Sequence, residues 1–207
     1  MVDSQGDAME GRTNWRRFGV AVGLPIVAAG VLVAGVASGA VAASFSISGT
    51  QFKLSADRLE GTGFTQYSSI LKTVDANGNE VPTTPAAMSG INHAEIYNLC
   101  QTVAVGPVVL RIEAGKNNNP VVADNLLIGM SELSGDATFT DINIGTDASK
   151  LNKDGFDTHG ARGGFGQEAE HVTIEGLHQV AYSTTAHTFK LTGMSLKLHV
   201  GDGKECF

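Results

Sequence analysis

Beyond residue 44 the chain alternates apolar and polar positions with a period of two. Phe45-x-Ile47 and Phe52-x-Leu54-x-Ala56 open the pattern, and Val108-x-Leu110-x-Ile112-x-Ala114 repeats it mid-chain. Val172-x-Ile174, Phe189-x-Leu191 and Leu196-x-Leu198-x-Val200 follow. Side chains on a strand alternate between faces, so this spacing predicts strands with one buried face. Turn chemistry separates them at Asn77-Gly78-Asn79, Pro82–Pro85 and Lys116–Pro120. No stretch after residue 44 sustains a helical period over three turns.

Phe45-x-Ile47-x-Gly49-x-x-Phe52-Lys53-Leu54 is echoed by Phe189-x-Leu191-x-Gly193-x-x-Leu196-Lys197-Leu198. In both, the apolar register slips by one across a glycine, the mark of a bend or bulge. The expectation is two long strands, bent at Gly49 and Gly193, that bring the two ends of the chain together. The fold class expected is all-β: a single curled or bent antiparallel sheet forming an open barrel, groove or sandwich. Two segments, Pro82–Gly90 and the stretch between Gly145 and Glu170, read as long loops, functional or mobile.

The beginning of the chain differs. Arg16-Arg17 precede Phe18–Ala43, which carries no charge over 26 residues. About 20 helical residues cross a bilayer core, and the preceding arginines place the N-terminus in the cytoplasm. Residues 1–17 are therefore expected as a cytoplasmic n-region, 18–43 as a signal peptide or signal-anchor transmembrane helix, and 44–207 as an exported domain. Ala40, Ala42 and Ala43 form a small-residue cleavage region that favours release. The length of the apolar run favours retention, with the membrane as partner. Both destinations, secreted and single-pass cell membrane, stay open.

Charge sharpens this picture. The formal net charge is −7; Arg12, Arg16 and Arg17 cancel Asp3, Asp7 and Glu10, so the excess lies on the exported part. An acidic domain repels phosphates, which excludes nucleic acid as an expected partner. The two cysteines, Cys100 and Cys206, read in an exported chain as one disulfide closing a long loop, with two separate buried thiols as the alternative.

No catalytic constellation stands out. Gly129-Met130-Ser131 and Gly193-Met194-Ser195 each lack the second glycine of a nucleophile elbow. Asp157-x-His159 and Glu168-x-Glu170-His171 have metal-ligating chemistry, but such residues are ordinary in a solvated loop. Asp75-x-Asn77-x-Asn79 misplaces the glycine of a calcium loop. No metal or cofactor is expected. Phe45, Phe52, Phe139 and Phe189 are candidates to line an apolar ligand face, with plain core as the competing account.

Ser55–Phe64 (SADRLEGTGF), Tyr97–Gln101 (YNLCQ), Ala123–Leu126, Gly135–Thr140 and Glu205-Cys206-Phe207 together resemble an actinobacterial exported family of unknown function. Its members often carry an automatic cholesterol esterase label, which implies a lipid or sterol ester hydrolase; no residue here matches a catalytic role. Cys100 and Cys206 match the family pattern. The strands also resemble the curled sheets of envelope lipid-carrying proteins, an analogy of fold. The function expected is an exported envelope or secreted β domain, non-enzymatic, that binds an apolar ligand or forms a surface structure.

Overall fold

A computed structural model describes residues 50–74, 79–157, 159–201 and 204–207. All lie within the compact unit Val41–Phe207. The expected apolar helix 18–43, the cleavage region and the bend at Gly49 lie outside the described residues.

Among the described residues nine strands form one sheet: β1 Phe52–Val74, β2 Glu80–Tyr97, β3 Leu99–Val105, β4 Val108–Ala114, β5 Val121–Thr140, β6 Asn143–Asp147, β7 Phe165–Thr185, β8 Thr188–Lys190 and β9 Ser195–Val200. Every pairing is antiparallel. The all-β reading holds, and among the described residues the only helical turn is a 3-10 segment, Ala148–Lys150.

The sheet closes on itself. β1 pairs with β2, β2 with β5, β5 with β7, and β7 back with β1, making a small barrel. Closure leaves these four strands without a free edge along the barrel, while β6 and β9 end the sheet outside it. Long strands allow it: β1 has 23 residues and β7 has 21, and register shifts near Gly129, Met130 and Ser134 bend β5 around the turn. Leu54, Leu59, Phe64, Ile91, Leu126, Val172 and Leu177 fill the interior. A second cluster, with Tyr67, Leu71, Met88 and Leu151, packs beneath the 148–160 segment.

Three expectations change. Pro82–Gly90 is strand, not loop: it is part of β2. β5 pairs β2 only along Ala87–Ile96, so Pro82 and Pro85 lie where β2 has a single neighbour and their missing N–H costs little. The Phe189–Leu198 echo is two strands rather than one bent strand. Gly193 turns the chain at φ +66, sending β8 to β5 and β9 to β4. The first described strand does meet the C-terminal tail, where Lys53 pairs with Glu205 and donates to the Phe207 carbonyl at 3.0 Å.

The third change concerns β3, β4 and β9, which extend the sheet beyond the barrel. Their cross-strand rows are Val105–Val108–Val200, Val103–Leu110–Leu198 and Gln101–Ile112–Leu196. The alternation predicted a buried face here. Instead Leu198 is 68% exposed and Val200 82%, because among the described residues no strand lies opposite this part of the sheet. Its other face is covered. Residues 204–207 lie across it, with Cys206 N donating to Thr102 Oγ1 at 3.3 Å and Arg111 donating to the Lys204 carbonyl at 3.3 Å. Cys100 and Cys206 are joined as a disulfide, Cα atoms 5.8 Å apart.

Candidate functional site

The stretch from Gly145 to Glu170, expected as the least ordered, is tied to the barrel by a buried cluster. Asp154 is fully buried. Its Oδ1 accepts from the Phe156 N–H at 3.1 Å and bonds His159 Nε2 at 2.8 Å. Its Oδ2 accepts from the Thr65 hydroxyl of β1. Gly90 on β2 leaves the room, since a Cβ there would sit 2.0 Å from Asp154 Oδ2. The His159 ring stands edge-on to Tyr67, centroids 5.8 Å apart. Burial, and then the Asp154 carboxylate, push the Tyr67 phenol up from 10 to about 12.

Threonine, aspartate and histidine so arranged do not form a nucleophilic relay. The acid sits between the other two, so the Thr65 hydroxyl is held by the carboxylate and not by an imidazole that could take its proton. The cluster is a clasp. It also accounts for the metal-like residues. His159 turns inward to Asp154, Glu168 accepts from the Asn152 N–H at 3.2 Å, and Glu170 pairs with Lys153 at 2.8 Å. Among the described residues no three His, Cys, Asp or Glu side chains converge as metal ligands; Asp75 and Asn77 lie outside them.

Beside the clasp, at the mouth of the barrel, is a cavity of about 430 Å³. Tyr67, Pro85, Ala86, Ala87, Met130 and Phe165 give it apolar walls, and Gln66, Ser68, Ser69 and Ser131 add polar groups. Gln66 is held on both sides: it accepts from Gln167 at 2.6 Å and donates to Ser89 at 3.0 Å. The Phe165 side chain stays 59% exposed at the rim. A concave, mostly apolar pocket with a few oriented polar groups, in the mouth of a β-barrel, is a common form of small-molecule site.

Of the phenylalanines singled out from the sequence, Phe52, Phe139 and Phe189 lie elsewhere. Phe52 and Phe139 pack against the barrel core, with Phe139 tilted on Phe64 at 5.3 Å. Phe189 is on β8, 36% exposed, and Phe45 is outside the described residues. The cavity residues escaped sequence reasoning because β1, β2, β5 and the start of β7 bring them together from four separate stretches. The one available signal was a break in alternation around Gln66–Ser69.

The two serines weighed as nucleophiles are also placed. Ser131 lines the cavity; its hydroxyl accepts from Gln51 at 3.1 Å and donates to the Val180 carbonyl at 3.4 Å. Ser195 starts β9, opposite Glu113. Lys116 and Arg111 hold the Glu113 carboxyl down to about 2. His199 lies four residues further along β9, about 13 Å at strand rise, beyond direct reach of Ser195.

A family model described as a family of unknown function, DUF6230, matches residues 48–207. The chain belongs to this family. The match covers the whole described barrel and the C-terminal tail with Cys206, so barrel, clasp and disulfide all fall within the family region. Comparison with curated proteins and with solved structures returns no match.

Proposed function

We propose that this DUF6230 protein is an exported, non-enzymatic envelope or secreted domain that holds an apolar ligand in its barrel mouth. The cavity between Tyr67, Ala87, Met130 and Phe165 is the observation that supports this reading. The barrel interior is packed with side chains, so the ligand is small or inserts only in part. Export rests on the uncharged segment 18–43. Cleavage after Ala42 would release the domain, and retention would tether it to the membrane. The competing reading is a lipid or sterol ester hydrolase, favoured only by the presence of Ser131 in the same cavity.

Titration of the full chain with a fluorescent fatty acid tests the first reading. Saturable binding is expected, weakened at least tenfold by Ala87→Trp, which fills the cavity, with little change in melting temperature. Equal binding by both proteins would remove the cavity from the function. Turnover of a p-nitrophenyl ester that disappears in Ser131→Ala would establish the hydrolase instead.

A further inference from the structure

The apolar rows of β3, β4 and β9 extend the sheet from the Lys53–Ser55 end of β1, whereas Gln66–Ser69 of the cavity lie further along that strand. Val105, Val108 and Val200 form the outermost row, and Val103, Leu110 and Leu198 the next. This face carries no ionisable side chain, while the covered face of the same three strands carries Arg111, Glu113, Lys197 and His199. One side is built for ions and the tail; the other has no partner among the described residues.

We propose that this face rests on a lipid surface, with β9 and the β3–β4 hairpin tip against the acyl region. The inference rests on the tethered form of the proposed function. Lys53 pairs with Thr102 antiparallel, so the chain enters β1 from the direction of Val105. Only residues 44–49 separate Thr50 from the uncharged segment 18–43. Six extended residues reach about 20 Å. A chain anchored through 18–43 therefore keeps this end of the domain next to the bilayer, where an uncharged apolar face gains by burial.

A second copy of the chain fits less well. Three strands about 4.8 Å apart and six residues long give a patch on the order of 300 Å², well short of the ~800 Å² per partner of a stable protein interface. Pairing β9 edge to edge with another copy would bring Lys197 near its equivalent, and like charges across strands oppose this.

Single-tryptophan variants of the full chain, in a Trp15→Phe background, test the proposal in phosphatidylcholine vesicles with brominated acyl chains. Leu198→Trp and Val200→Trp are expected to lose at least half their emission relative to unbrominated vesicles, and Lys197→Trp, on the covered face, to lose little. Leu32→Trp reports the anchor separately. Quenching at position 32 with none at 198 overturns lipid docking and leaves the anchor standing. Quenching at 198 without quenching at 32 supports docking while removing the anchor. Emission at 198 that is blue-shifted but unquenched also overturns it: dependence on protein dilution would assign the face to a second copy, and independence to cover by residues 44–49.

Discussion

Tyr67 shows how one residue reports on its surroundings. Its ring is buried, its edge meets His159, and the nearby Asp154 carboxylate opposes phenolate formation. With the folded-state value raised from 10 to about 12, the group's contribution is complete below pH 10. Between pH 10 and 12 the unfolded chain releases the phenolic proton while the folded chain retains it, so stability falls and the contribution is gone above 12. Tyr67→Phe should flatten the stability profile in that window, by up to about 3 kcal/mol, as read from urea unfolding at stepped alkaline pH. An unchanged slope would mean the phenol is not shielded.

At the scale of elements, the clasp decides whether the 148–164 segment behaves as a loop or as part of the barrel. Asp154→Ala would leave Thr65, Phe156 N and His159 without their shared acceptor in a buried site. The expected loss is about 3 kcal/mol in urea unfolding, with proteolytic nicking appearing first near residues 151–164. A variant as stable as the parent would show that the segment is held by packing of Ala148 and Leu151 alone. The period-two pattern marked β1, β4, β7 and β9 correctly, because side-chain alternation is a local property of a strand. Asp154 was not legible. In the sequence it stands in Lys-Asp-Gly, an ordinary solvated turn, and only contact with Thr65, 89 residues away, buries it. The cavity was equally hidden, since its walls come from β1, β2, β5 and β7.

At the scale of the molecule, the disulfide links the tail to the strands outside the barrel. Cys100 and Cys206 are separated by 106 positions, and closing so long a loop restrains the unfolded chain by at most about 4.7 kcal/mol. Leu99, beside Cys100, sits in the core, but β1, β2, β5 and β7 close the barrel on one another without Cys206. Reduction, or Cys100→Ser with Cys206→Ser, should therefore lower the unfolding midpoint without abolishing the cooperative transition. It should also open the 204–207 tail to carboxypeptidase. Resistance of the reduced tail would mean that Lys53, Arg111 and Thr102 suffice to hold it.

The sequence by itself determined the strand character of the domain, the turn at Lys116–Pro120 and the cysteine pair, because each depends on residue chemistry and near neighbours. Its uncharged segment 18–43 also set the expectation of export. Only the tertiary structure decided which apolar rows are covered. The same alternation occurs in β7, whose Val172 and Ile174 are buried inside the closed barrel, and in β9, whose Leu198 and Val200 face outward. Burial depends on what lies opposite, and closure of β7 on β1 places a wall across from one strand and not the other.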